Sequence, residues 1–233
     1  VYDNKKSVTI VEIMGRHAGW LTAASALARR YEGDNPVLIY LPETAFDTEQ
    51  FIRDVEAALE KTPNVIVCIS EGINDGKGTF ICELSSDVGV DTFGHKMLTG
   101  SGKYLENLVK DRLGVKVRSI ELNVCQRCSS AMLSGTDQKE AIASGAYGVK
   151  CALEGETGKM VAFRRVPGED YRVDYVTEDI NLICNQEKGV PLEWITEHGS
   201  DVGKEFIEYA LPLIQGEVKV PVKDGLPLFA YRK

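Results

Sequence analysis

Residues Ser7–Trp20 read SVTIVEIMGRHAGW, an apolar run that meets an abrupt Met14-Gly15-Arg16 corner and opens into small residues. Val8–Ile13 is β-branched and nearly continuous, the pattern of a parallel strand buried on both faces. Such strands carry their ligand sites just outside their carboxyl ends, in the crevice before the next helix. Gly15 lets the chain turn there without a β-carbon in the way, and Arg16 places a forked donor where an anion would sit.

Working outward, His17–Tyr31 is expected as a helix, ended by Gly33-Asp34-Asn35-Pro36, and Val37–Leu41 as a second buried strand. Asp47 with Gln50 has the spacing of a capping box. Phe51, Val55, Ala58 and Leu59 then form the inner stripe of a helix to Lys61. Val65–Ser70 is a third strand, closing on Glu71-Gly72. Ser101–Leu113 reads as a helix, Val115–Asn123 as a fourth strand, and Asp137 with Glu140 as the cap of a helix to Leu153. Met160–Val166 follows as a strand. Strands alternating with helices predict an α/β, Rossmann-like three-layer domain with a mostly parallel sheet, spanning 1–166. The remainder, 167–233, is expected as a C-terminal extension of helices and tail: Tyr171–Asn185 extended, Leu192–His198 and Val202–Ile214 helical.

Bulk properties narrow the functions. The chain has 233 residues, 43% apolar and 27% charged, with a net charge of −8. That balance argues against nucleic acid or an anionic membrane as partner, and no run of about 18 apolar residues is present. An anionic small molecule stays possible, because a few clustered arginines can dominate one cleft. The six scattered cysteines suit a reduced, cytoplasmic protein better than a disulfide framework. VYDNKK enters a core strand within six residues, so the chain is expected to be cut from something larger.

Further candidates are weighed by what surrounds them. Glu71 ends the third strand, where topology brings it to the same crevice. An acidic residue beside arginines can accept from sugar hydroxyls. Arg118 lies inside the fourth strand, where a charge calls for a partner or an interface, and Arg127 lies just past that strand's end. Cys125-Gln126-Arg127-Cys128 is a CxxC without a second pair or a histidine pair to complete a zinc site. Gly155-Glu156-Thr157-Gly158-Lys159 lacks the earlier glycine of a phosphate loop and leads into a strand, so it is expected as a turn. His17, His95 and His198 show no metal or triad spacing, and the glycine-rich segment 72–102 is long for a loop.

Together, VEIMGRHAGW, ISEG and the R-x(8)-R block ending ELNVCQRC resemble the phosphofructokinase family. The resemblance covers at least Lys6–Lys150, with support from EFIEYALPLIQGE. It implies transfer of a phosphoryl group from ATP or pyrophosphate, with Mg2+, to the 1-hydroxyl of fructose 6-phosphate. By the same resemblance, Met14, Gly15 and Arg16 form the sugar-phosphate corner, Glu71 binds the sugar, and Arg127 reaches the 6-phosphate. Arg118 would reach across to a neighbouring subunit of a homo-oligomer. The other cross-subunit cation falls at Ser7, with Lys6 adjacent. Val124 stands where the family has histidine, and Cys128-Ser129 where it has Gly-Gly, which leans toward the pyrophosphate branch. The family's GGD donor loop and its TxD base segment precede the MGR corner, and neither is expected anywhere in these residues. The chain is therefore expected to supply no catalytic residue and to bind Mg2+ mainly through other parts. Two other readings stay open: a non-catalytic sugar-phosphate-sensing or assembly domain, and a generic nucleotide-binding domain, although no G-x-G-x-x-G follows the first strand.

Overall fold

The computed structural model describes residues 5–84, 100–168 and 170–228. His95 and the middle of the 72–102 segment lie outside the described residues. Two compact units result: one runs to Arg127 and resumes for Glu187–Tyr209, the other comprises Cys128–Gln186 and the chain from Ala210 onward.

The first unit is built on four parallel strands. They are β1 (Ser7–Ile13), β2 (Leu38–Tyr40), β3 (Asn64–Ser70) and β4 (Lys116–Glu121), in the order β2-β3-β1-β4. The apolar runs become strands by burying one face through Val8, Ile10, Val65, Val67 and Ile69, with Ile39 and Cys68 buried on the other. Three helices connect them: α1 (Trp20–Ala23), α2 (Thr48–Lys61) and α3 (Ser101–Leu113). Asp47 caps α2 by accepting from the Glu49 and Gln50 amides at 2.8 and 2.9 Å. The helix buries Phe51, Ile52, Val55 and Leu59; each such side chain contributes about 1.5–3 kcal/mol. Tyr40 and Phe46 stack edge-on or tilted against Phe51.

The chain leaves β1 outward to β2, then returns through β3 and crosses to β4 on the far side of β1. Right-handed crossovers then place α1 on one face of the sheet and α2 with α3 on the other. The connections after β1 and β3 thus diverge between two adjacent strands, which creates a crevice at their carboxyl ends.

Several boundaries differ from expectation. The His17–Tyr31 helix is reduced to α1 and a 3-10 stretch, Ala24–Ala28. Ser25 Oγ donates to the Thr22 carbonyl at 2.6 Å and competes with the helix ladder. Leu192–His198 keeps only a 3-10 turn at Leu192–Trp194. Trp194 and Trp20 pack edge to face, with Phe206 and Tyr209 against Trp20.

At the end of the first unit, one helical turn, α4 (Cys125–Cys128), follows β4. In the second unit, α5 (Gly135–Leu153) is capped by Ser134, whose Oγ accepts from the Asp137 amide at 3.0 Å, rather than by Asp137 itself. The antiparallel pair β5 (Lys159–Arg165) and β6 (Val173–Asp179) follows, separate from the parallel sheet. The GETGK stretch is a turn, with Gly155 and Gly158 at positive φ. Beyond α6 (Ile180–Ile183) and α7 (Lys204–Ala210), Asp224-Gly225 closes a short hairpin of β7 (Val222–Lys223) and β8 (Leu226–Pro227). The stretch after 166 is thus shared, Glu187–Tyr209 belonging to the first unit. Among the described residues, no helix is long and apolar enough to cross a membrane.

Candidate functional site

Three strand ends meet at the crevice. β1 delivers Met14-Gly15-Arg16, β3 delivers Glu71-Gly72, and β4 runs through Leu122 into Gln126-Arg127. Arg16 takes positive φ at 48°, an uncommon conformation for a residue with a β-carbon. Gly15 is required where it is, because a β-carbon there would stand 2.6 Å from the Ala18 carbonyl.

The three amides of the corner are all taken by side chains from the neighbouring strand ends. Glu71 Oε1 accepts from the Gly15 and Arg16 amides at 3.2 and 3.0 Å. Gln126 pairs with Met14 twice: its Oε1 accepts from the Met14 amide at 2.8 Å, and its Nε2 donates to the Met14 carbonyl at 2.9 Å. Gly15 O accepts from the Ala18 amide at 3.0 Å. An anion at this corner therefore meets guanidinium groups rather than corner amides. Arg16 and Arg127 are both exposed beside the crevice.

Glu12, near the carboxyl end of an apolar strand, is the group that sequence reasoning passed over. It is 4% exposed and accepts from the amides of Gly102 and Gly100 at 2.6 and 3.3 Å. Burial, with smaller contributions from the Glu121 and Glu71 carboxylates, pushes its carboxyl up to about 7. It anchors the start of α3 to β1. Ser101 Oγ adds a long contact to the Glu71 carbonyl at 3.4 Å. On the other side, Glu43 Oε1 accepts from the Gly19 and Val190 amides, both at 2.8 Å. Trp20 Nε1 donates to the Lys188 carbonyl at 2.7 Å.

Not every expected residue comes to this point. Arg118 is paired with Thr9, four residues short of Ile13, roughly 13 Å back along the strand. Lys6 precedes Ser7 at the opposite end of the sheet. There, Arg118, Lys116, Ser7, Asn35 and Asn64 line a cavity of about 460 Å³. Met14, Gly15, Arg16, Glu71 and Arg127 gather at one end; Lys6 and Arg118 stand at the other.

None of the six cysteines, the CxxC pair included, is in a disulfide. Among the described residues, no group of three or more His, Cys, Asp or Glu side chains could hold a metal ion. Thr177-Glu178-Asp179 spells TxD, but it lies at the end of β6, with Asp179 capping α6 through the Asn181 amide.

Comparison with known proteins identifies the family. The family model described as Phosphofructokinase matches residues 3–152. A pyrophosphate–fructose 6-phosphate 1-phosphotransferase of Halomonas elongata is 36% identical over 223 residues, covering 96% of this chain and 52% of the relative. Its namesake from Methylococcus capsulatus is 36% identical over 220 residues, with 94% and 52% coverage. The crystal structure of a pyrophosphate-dependent phosphofructokinase from Marinobacter aquaeolei superposes with a TM-score of 0.82 at 32% identity, over 96% of this chain and 52% of that one. The chain spans about half the length of the relatives it matches.

Proposed function

Because the chain belongs to the phosphofructokinase family, we propose that it forms the acceptor-binding part of a 6-phosphofructokinase. The enzyme would transfer a phosphoryl group to the 1-hydroxyl of fructose 6-phosphate. The observation that carries this reading is the convergence of Arg16, Glu71 and Arg127 at the ends of three neighbouring strands.

The two guanidiniums would fork onto the 6-phosphate, each bidentate contact contributing about 1.5–3 kcal/mol. Glu71 has one carboxylate oxygen committed to the corner amides and a second available to accept from a sugar hydroxyl. Because the corner's own amides are already paired, ligand binding would cost little rearrangement of the backbone. Phosphoryl transfer depends on positioning and charge neutralisation. This chain contributes the positioning of the acceptor.

Pyrophosphate is the donor we favour over ATP, since the relatives at 36% identity are named for it. Magnesium belongs to the same proposal as the ion that would neutralise the donor's phosphates. The described residues form no cage for it, and no step assigned to this chain passes through it. Lys6 and Arg118, at the far end of the sheet, would serve the site of a neighbouring copy. Cysteines outside any disulfide suit the cytoplasm.

Calorimetric titration of fructose 6-phosphate into the chain tests the reading. Arg16→Ala and Arg127→Ala should each lower affinity by about tenfold, with folding unchanged because both side chains are exposed. Affinities equal to the parent would remove those arginines from the site. Tighter binding of adenosine nucleotides than of the sugar phosphate would favour the nucleotide-binding alternative.

A further inference from the structure

Met14 stands just beyond the parallel ladder. β1 ends at Ile13, and the last main-chain bond from the β4 side runs from the Leu122 amide to the Glu12 carbonyl at 3.1 Å. Asn123 then turns the chain through positive φ at 44°, so no strand backbone remains to pair with Met14. Gln126 replaces it: its carboxamide has the donor and acceptor of a peptide group and takes both main-chain groups of Met14. It spans 112 positions in the chain to do so and is only partly exposed. The next residue is Arg127.

We propose that Gln126 is a positioning residue of the sugar-phosphate site: its side chain adds one rung to the sheet, ties the turn after β4 to the Met14-Gly15-Arg16 corner, and so sets where Arg127 stands relative to Arg16. This rests on the sugar-phosphate reading of the corner given above. A phosphate held between two guanidiniums needs a fixed separation between them. Arg16 is fixed through Glu71 and its own backbone, whereas Arg127 lies on a single helical turn, α4, that has little rigidity of its own. The carboxamide pair is what links the two. An ordinary surface glutamine would leave the Met14 amide to water.

The test has one readout that needs no ligand and one that does. In the full chain, Gln126→Met keeps side-chain volume and removes both hydrogen bonds. The Met14 amide should then exchange with solvent at least about tenfold faster, while Ile10 and Val67 in the sheet exchange as before. Affinity for fructose 6-phosphate should fall by about tenfold. In an Arg127→Ala background the same change should cost less than about twofold, because the arginine through which Gln126 acts is gone.

Unchanged exchange at Met14 overturns the proposal. Faster exchange with parental affinity overturns it as well, as do fully additive losses in the double variant. A parent chain that protects Met14 but takes up no fructose 6-phosphate removes the sugar-phosphate reading instead, and leaves Gln126 as the residue that holds the corner. Should Gln126→Met fail to fold, Gln126→Glu keeps the acceptor for the Met14 amide, loses the donor, and reads the same quantities.

Discussion

Gly72 passes so close to Arg16 that any β-carbon at position 72 would overlap the Arg16 carbonyl group. The ends of β1 and β3 are thus in backbone contact under the corner, and Glu71, one residue earlier, holds the Gly15 and Arg16 amides from the same side. The corner is shaped by this contact as much as by its own glycine.

Gly72→Ala should therefore destabilise the chain by about 2 kcal/mol or more, since backbone rather than a flexible side chain must move. Gly145→Ala is the control: it lies within α5 with nothing near its missing β-carbon, and should stabilise by about 0.5–1 kcal/mol. Urea denaturation of both variants against the parent measures the difference. A neutral Gly72→Ala would mean that the two strand ends are looser than described.

Glu12 predicts a pH dependence. Its folded carboxyl is raised from the ordinary 4.5 to about 7, chiefly by burial. A raised value means that the folded state prefers the protonated form. The favourable contribution is present in full below pH 4.5, is lost as pH rises toward 7, and changes little above that. The displacement corresponds to about 3 kcal/mol. Glu12→Gln cannot ionise, so it should flatten the stability profile between pH 4.5 and 7. Identical pH slopes for Glu12→Gln and parent would show that Glu12 does not titrate in that window.

Purified chain is expected to show no conversion of fructose 6-phosphate with either ATP or pyrophosphate, in a coupled assay for fructose 1,6-bisphosphate. In the proposed reading the residues gathered at the corner hold an acceptor and include no base for the 1-hydroxyl. Robust turnover would place a donor site and a base within these 233 residues.

Lys6 and Arg118 give a concentration-dependent prediction. If they complete the site of a neighbouring copy, affinity for fructose 6-phosphate rises as the chain is concentrated enough to associate. Arg118→Ala should abolish that rise and leave affinity in dilute solution untouched. Titrations at two chain concentrations, with sedimentation to report association, distinguish this from an arginine that only faces solvent.

Most of the parallel sheet could be read directly, because strands buried on both faces appear as unbroken apolar runs and their helices carry local signals such as the Asp47 cap. The corner, Glu71 and Arg127 were also legible, each sitting where a strand run stops. What escaped depends on distant partners. Glu12 looked like an interruption in a strand because the amides it serves lie 88 and 90 residues later. Gln126 is polar in a polar turn until Met14 is placed beside it; a glutamine directly before an arginine at a strand end was the available signal. The shortened helix after Trp20 followed from a serine back-bonding to its own turn, and Ser134 displaced Asp137 as a cap because the chain enters α5 three residues earlier. The Asp224-Gly225 hairpin had a local signature that went unused.

β4 forms one border of the sheet, and among the described residues its outer main-chain groups pair with no other strand. An open border of this kind is a template for strand addition, and with it for aggregation through edge-to-edge stacking of copies. Lys116 and Arg118 project from its exposed side, where like charges would meet if two such borders approached in register. The arginine proposed to serve a neighbour's substrate would then also guard the chain against the wrong neighbour, and Arg118→Ala preparations should be judged for solubility before they are judged for affinity.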